Sequence, residues 1–303
     1  MLIDTTSDVL RSLERDGIVV IPNFLSTNQL QGMQTAFDAR LRHVRWNDID
    51  GYEKERFRHV IEDVLILDQG FVDAALHPLV KETLREFVGE RYQLVEAKGW
   101  RSLPTRRNFH GWHGDAWYDQ TNRDSIPREV KLGVYLTDVQ SGFFEYVRQS
   151  HQKQAPHPVP DRQLGIIPAS IIVQVKGPAG TGFLFDTSGI HRQTVPILEA
   201  RSAVFYNYHD PSVPLQKEDM DYYRYHPLLL NAAFLRNLSD EDCRILGFGD
   251  QRNYFHAFSR RQKYPRLQRV LETLLDATVA WNSLRERAEA GLTRLLKSAR
   301  LVG

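Results

Sequence analysis

Apolar residues recur at two different periods along this chain, and the change of period divides it. Over residues 5–15, Val9, Leu10 and Leu13 fall on one side of a short amphipathic helix. The stretch DGIVVIPNFLS turns at Asp16-Gly17, runs a β-branched strand from Ile18 to Ile21 and stops at Pro22. Ser26 is an N-cap for the next helix, where Leu30, Met33, Phe37 and Leu41 recur at helical spacing. Leu79, Val80, Leu84 and Phe87 predict another helix over about 77–88. Beyond about residue 90 the period shortens to two. RYQLVEAKGWRSLP, VKLGVYLTDV, GFFEYVRQSH, SIIVQVKGPAG, TGFLFDTS and RSAVFYNYH are short, β-rich and separated by Gly, Pro, Ser or Asp, which suggests an antiparallel sandwich or barrel. In LSDEDCRILGFGD, Ser239 caps a helix with acids in its first turn and a glycine stop. The stretch from Tyr264 onward reads as one long or broken helix. The expected organisation is one decorated domain over 1–303, with a β core at about 90–210 and a helical extension at about 217–303.

Composition changes this picture little. At 303 residues, with 42% hydrophobic and 25% charged positions, the chain reads as an ordinary globular protein. A formal net charge of +1 gives no general field that would draw it onto nucleic acid. The single cysteine, Cys243, excludes an internal disulfide or a cysteine-cluster metal site and suits a reducing cytoplasm. No apolar run approaches the length of a membrane span, and the N-terminus lacks a basic-then-apolar signal pattern. A cytoplasmic protein is expected.

The candidate chemistry starts at NFHGWHGDAW, residues 108–117. In an extended segment residues i and i+2 face the same side. His113 and Asp115 therefore present an imidazole and a carboxylate together, with Trp117 on that face and Trp112 on the other. A mononuclear non-haem iron centre takes two imidazoles and one carboxylate on one face of the metal and leaves the other face open. By itself the motif is weak, because an aromatic strand edge with polar residues toward water reads the same way. A third ligand has to come from far along the chain. GTGFLFDTSGIHRQTVPILEARSAVFYNY offers His191 after an apolar strand and a glycine turn, and ten positions further on Arg201 opens the next strand. A planar guanidinium clamps the far carboxylate of a dicarboxylate with two parallel hydrogen bonds. Ser202 and Tyr206 lie close enough in sequence to add hydroxyls, although a regular strand turns Tyr206 to the face opposite Arg201.

These ordered motifs resemble the Fe(II)/2-oxoglutarate dioxygenases, most closely their phytanoyl-CoA dioxygenase-like branch. The resemblance covers most of residues 10–208. LERDGIVVIPNFLSTNQL is similar to that branch's opening, LGVYLTDVQSGFFEYVRQSH to its strand leading into a Gly-Ser-His turn, and GFLFDTSGIHRQT to its second-histidine strand. The resemblance implies a mostly β fold, a double-stranded β-helix of jelly-roll or cupin-like type buttressed by N- and C-terminal helices. It also implies Fe(II) on His113, Asp115 and His191, 2-oxoglutarate on Arg201 and Ser202, and O2 as the other co-substrate. Two departures touch the substrate side: Gln149-Ser150-His151 lacks the usual preceding glycine, and SGFF at 141–144 replaces the commoner Asn-Gly-Pro. Asp115 argues against the halogenating relatives, which lack this carboxylate.

Hydroxylation of an unactivated C–H in a small biosynthetic molecule is the expected reaction, with 2-oxoglutarate converted to succinate and CO2. The same catalyst could instead desaturate, epoxidise or cyclise a natural product, or act on a membrane lipid or glycolipid. A non-catalytic metal-binding barrel is the competitor from another class. Trp117 and Tyr118 are candidate pocket walls, with plain packing as the alternative. Arg101, Arg106 and Arg107 form either a solvated loop or an anchor for an anionic substrate. His110 and His151 read first as surface or core residues, and Asp186 as a turn residue rather than a ligand. The C-terminal LRERAEAGLTRLLKSARLVG would pack on its own barrel, pair two chains as a homodimer, or lie on a membrane surface.

Overall fold

The computed structural model describes residues 5–43, 57–62, 64–108, 111–115, 129–152, 164–210, 228–235 and 237–248, with helical positions 277, 281, 284, 285 and 288 beyond. Its elements are α1 (Thr6–Asp16), β1 (Ile18–Ile21), α2 (Thr27–Leu41), β2 (Arg58–Ile61), α3 (Gln69–Ala75), α4 (Pro78–Phe87), β3 (Gln93–Ser102), β4 (Glu129–Tyr135), β5 (Val139–Val147), β6 (Ile172–Gly177), β7 (Gly182–Asp186), β8 (His191–Gln193), β9 (Arg201–His209) and α5 (Asp240–Ile245). Local chemistry sets the helix ends. The Thr5 side chain accepts from Asp8 N at the start of α1, and Gly17 closes that helix at φ 79° with its N–H on the Leu13 carbonyl. Ser26 caps α2, and Ser239 with Asp242 forms a reciprocal capping box on α5. α5 docks on α4 through Lys81–Asp242 at 2.6 Å and an Arg85–Glu241 ion pair. The periodicity did not announce β2 or α3, which are four and seven residues long, too short to display a period.

Two antiparallel sheets form the core. The larger runs in the order β1-β7-β4-β9-β3-β2, the smaller β6-β5-β8. An isolated antiparallel bridge between His113 and His191 adds the 111–115 segment to the edge of the smaller sheet. Alternation along the strands sorts the side chains. One face of the large sheet carries Leu132, Val134, Leu184, Val204, Tyr206 and Tyr208, packed on Val9, Leu13, Met33, Phe37, Phe71 and Leu84 of the helices. Burying each such side chain contributes about 1.5–3 kcal/mol, so this face fixes the helices to the sheet. The other face looks toward the small sheet. There Tyr135, Phe183 and Phe185 pack with Phe144, Tyr146 and Val175. Polar residues share that inner face: Glu129 and Lys131 on β4, Glu96 and Lys98 on β3, and Arg201 and Asn207 on β9, as the registers Lys131↔Asn207 and Glu96↔Asn207 require. The antiparallel, mostly β core with flanking helices is the expected fold class.

Residues Met1–Tyr254 make one compact unit and Phe255–Gly303 a second. In the second unit the described helical positions include Trp281 and Leu284, both exposed. The leucines and basic residues at 292–301 that raised dimer and membrane readings lie outside the described residues. Among the described residues no helix is long and apolar enough to cross a membrane.

The turn without its expected glycine keeps the conformation glycine would favour. Gln149 sits at φ 63° with its side chain exposed, and its N–H donates to the Asp16 carbonyl at 3.0 Å. A left-handed residue with a Cβ costs roughly 1–2 kcal/mol. Glycine would lose about 0.5–1 kcal/mol of chain entropy in return. Gln149→Gly is therefore expected to leave unfolding free energy unchanged or raise it by up to about 1 kcal/mol, read from the urea midpoint. A clear loss would show that the glutamine side chain holds the turn.

Candidate metal centre

Two donors from one short segment, His113 and Asp115, and a third far along the chain, His191, meet at one point between the two sheets. His113 and His191 are cross-strand partners: His113 N donates to His191 O at 3.0 Å and His191 N donates back to His113 O at 2.7 Å. Asp115 follows, its N–H on the Thr187 carbonyl at 2.7 Å. Gly114 between the ligands is required by close backbone approach, because a Cβ there would lie 2.7 Å from the Ser188 carbonyl oxygen. On the other side, Asp186 Oδ1 accepts from Ser188 N (2.9 Å) and Ser188 Oγ (2.6 Å), making the turn that delivers His191. Ser150 of the glycine-less turn accepts from Ile190 N at 2.7 Å and so steadies the residue before His191.

The donor chemistry fits a divalent metal. Each imidazole has Nδ1 at 2.8 Å from the carbonyl of the residue two before it, Gly111 for His113 and Gly189 for His191. A carbonyl only accepts, so each Nδ1 carries its proton and each Nε2 turns a lone pair to the centre. His113 Nε2 lies 3.7 Å from Asp115 Oδ1, and His191 Nε2 lies 3.8 Å from Oδ2. All three donor atoms fall within 4.8 Å of one another. Donors adjacent on one ion through bonds of about 2.1 Å lie roughly 3 Å apart, so the two Asp115 pairs need to close by less than about 1 Å to share it. Burial pushes the His191 imidazole down to about 3, so it stays neutral and able to ligate. Burial alone would raise the Asp115 carboxyl, but the Lys131 ammonium holds it well below the usual carboxylate range. Lys131 Nζ stands 2.5 Å from Asp115 Oδ2, and burial, which would lower its pKa, is outweighed by the acids around it.

Arg201 lies deeper on the same inner face, 4% exposed. With the Gln193 carboxamide turned to satisfy both groups, its oxygen accepts from Arg201 Nε (3.1 Å), Arg201 Nη2 (3.3 Å) and Ser102 Oγ (3.3 Å). The Tyr135 ring centroid is 5.7 Å from the guanidinium carbon. Among the described residues Arg201 Nη1 is buried without a hydrogen-bond partner. An orphaned, buried guanidinium N–H is a fit for a carboxylate. Gln193 is two residues beyond His191 on β8, so the arginine is tied about 7 Å along the strand from a metal donor.

The other candidate residues separate. Ser202 turns away, as alternation demands: its hydroxyl accepts from Arg101 Nη1 at 2.9 Å on the opposite face of the sheet. Arg101 faces the helices there, 3.8 Å from Asp38, and Arg106 and Arg107 are in solvent. The structure therefore brings neither Ser202 nor the three arginines to the centre, and Ser102, Gln193 and Tyr135 surround Arg201 instead. Tyr206 belongs to the helix-facing core. Trp112 points away from the metal donors, under the Arg192 guanidinium at 4.0 Å. His151 contacts the Glu14 carbonyl at the end of α1, 3.1 Å away. Trp117, Tyr118 and His110 lie outside the described residues. Sequence reasoning missed Lys131 and Glu129, although EVKLGVY shows strict alternation. Its polar face reads as solvent-facing until the second sheet is known to cover it.

A family model described as phytanoyl-CoA dioxygenase (PhyH) matches residues 13–192, more than half of the chain. No curated protein matches by sequence. Among solved structures, the 2-oxoglutarate-bound EctD from S. alaskensis, crystallised with 5-hydroxyectoine, aligns with TM-score 0.56 at 20% identity over 71% of this chain and 80% of its own. The α-ketoglutarate-dependent carbocyclase SnoK from nogalamycin biosynthesis aligns with TM-score 0.55 at 19% identity, covering 69% and 87%. HygX from Streptomyces hygroscopicus, bound to nickel and 2-oxoglutarate, aligns with TM-score 0.51 at 18% identity, covering 68% and 87%. These likenesses are in fold: a double-stranded β-helix.

The Lys131–Asp115 contact makes a direct prediction. Removing one partner of a buried ion pair costs about 3–5 kcal/mol. Lys131→Met should destabilise the metal-free protein by that order in denaturant unfolding, and added Ni(II) should restore part of the loss by replacing the missing cation. An unchanged metal-free stability would mean that Lys131 does not offset the Asp115 charge.

Proposed function

The chain belongs to the phytanoyl-CoA dioxygenase family and is an Fe(II)/2-oxoglutarate-dependent oxygenase, and we propose that it hydroxylates an unactivated C–H of a polar small molecule. In this reading His113, Asp115 and His191 hold the iron, and Arg201, oriented by Gln193 and Ser102, receives the distal carboxylate of 2-oxoglutarate. The observation that supports it most is the combination in one barrel of three donors within 4.8 Å and a buried arginine with an orphaned Nη1. When bound, Fe(II) lets 2-oxoglutarate and O2 react to succinate and CO2 with one oxygen atom passed to the substrate C–H. The chain's own part is orientation. The two Nδ1–H···O=C bonds aim both imidazoles, and Lys131 fixes the carboxylate rotamer. Phe144 and Phe185, with ring centroids 5.4 and 5.1 Å from that of His191, keep water from one side of the centre.

A second outcome stands beside hydroxylation. SnoN from the same nogalamycin pathway, an α-ketoglutarate-dependent epimerase, aligns with TM-score 0.51 at 18% identity, and SnoK is a carbocyclase. The position of the substrate C–H over the centre decides between hydroxyl transfer and ring or stereocentre chemistry.

Incubation with Fe(II), 2-oxoglutarate, ascorbate and O2 is expected to yield iron-dependent succinate even without substrate, followed by NMR, and His191→Ala should abolish it. Arg201→Gln should raise the KM for 2-oxoglutarate about 10- to 100-fold, the equivalent of a charged hydrogen bond worth about 1.5–3 kcal/mol. Iron bound without any succinate would favour a non-catalytic barrel.

A further inference from the structure

The inner face of β4 serves as a ruler through the barrel. Tyr135 stands beside Arg201, Lys131 reaches Asp115, and Glu129 comes one same-face step beyond, on the side away from Arg201. Same-face residues are about 7 Å apart along a strand. If Arg201 receives the co-substrate, Glu129 lies on the side of the metal left to the substrate. Its backbone is tied there: Glu129 O accepts from Thr187 N at 3.0 Å, and Thr187 O accepts from Asp115 N at 2.7 Å.

The Glu129 carboxyl is out of balance with its surroundings. The residue is 3% exposed, and both carboxyl oxygens are buried with no hydrogen-bond partner among the described residues. The Asn207 side chain faces the carboxyl and opposes part of the effect of its burial. The nearest cation, Lys131, faces Glu129 electrostatically but gives its hydrogen bond to Asp115 at 2.5 Å, and Lys98 pairs with Glu96 at 2.6 Å. Burying such a group unsatisfied works against stability, and a fold that keeps one has a use for it. Among the described residues, the arginines that suggested an anionic substrate, Arg101, Arg106 and Arg107, point to the helices or to solvent.

We propose that Glu129 anchors the substrate, and that the substrate carries a cationic nitrogen, an ammonium or guanidinium, held by this carboxylate while the C–H to be oxidised lies over the metal. The proposal rests on the Fe(II)/2-oxoglutarate reading of the site. A small molecule with a nitrogen cation supplies the donors Glu129 lacks, and its charge offsets the desolvation of the carboxylate.

Two measurements on the anaerobic Fe(II)- and 2-oxoglutarate-loaded protein test it. The first titrates pairs of near-equal shape that differ in charge, L-arginine against L-citrulline and L-lysine against Nε-acetyl-lysine, following the visible charge-transfer band. The cationic member is expected to perturb the band about tenfold more tightly than its neutral partner, and Glu129→Gln should erase that preference. The second melts Glu129→Leu, which should gain about 2–6 °C because an unsatisfied carboxyl is removed. A lower melting temperature would make Glu129 a structural partner. That result, silence of both cations, or equal discrimination in Glu129→Gln overturns the proposal. The band before any amine is added reports the metal reading separately. If it is absent, that reading fails; if it is present without a cation response, only the Glu129 anchor fails.

Discussion

A carboxylate and two imidazoles can be buried together only if a positive charge stands among them. Here that charge is Lys131, 2.5 Å from Asp115, and a divalent metal is the second cation the donors are arranged for. Much of the local architecture follows from this requirement. The His113–His191 bridge holds the imidazoles side by side, with ring centroids 4.5 Å apart. Backbone carbonyls take both Nδ1 protons, so both lone pairs converge. Gly114 lets the two segments approach, and Gly189 makes room for Tyr146 of β5, whose hydroxyl a Cβ there would strike at 1.8 Å. None of these features stabilises the fold by itself. They hold a polar centre that the surrounding apolar packing has to carry.

That packing is asymmetric in a way that defines the interior. One face of the large sheet is closed by helices through Leu132, Leu184, Val204 and their partners, where burial supplies the stability. The opposite face is released from that duty and becomes chemical. Along it run Arg201, then the metal donors with Lys131, then Glu129, a row of charges covered by the small sheet. Burial pushes the Glu129 carboxyl well above the usual range, with Lys131 opposing and Asp115 adding to the shift.

Much of the fold and the three metal donors could be read from residues. Helices α1, α2, α4 and α5 follow from their caps and periodic leucines, and the strands of the core from period two bounded by glycine and proline. His113, Asp115 and His191 stood out through spacing and through resemblance to a family. The errors share one cause: strand alternation decides everything inside a sheet sandwich, and neighbours in sequence are strangers across it. Ser202 was grouped with Arg201 because it is adjacent, yet adjacency on a strand is what sends it to the other face. Arg101 failed for the same reason. Glu129, Lys131, Glu96 and Lys98 were legible as an alternating polar face, but only the small sheet reveals that this face is interior. Gln193 and Ser102 had no signal, because register across β3 and β9 brings Ser102 to Arg201 and the facing of the two sheets brings Gln193 there.

The central claim, one metal on His113, Asp115 and His191 within reach of a dicarboxylate on Arg201, is tested most directly by anaerobic absorption. Metal-free protein is titrated with Fe(II) and then 2-oxoglutarate, beside Asp115→Ala and Arg201→Ala. The account predicts a weak visible charge-transfer band in the wild type that saturates at one iron per chain. It should be lost in Asp115→Ala and need far more 2-oxoglutarate in Arg201→Ala. Iron bound without a band, or the same band in all three proteins, would contradict it.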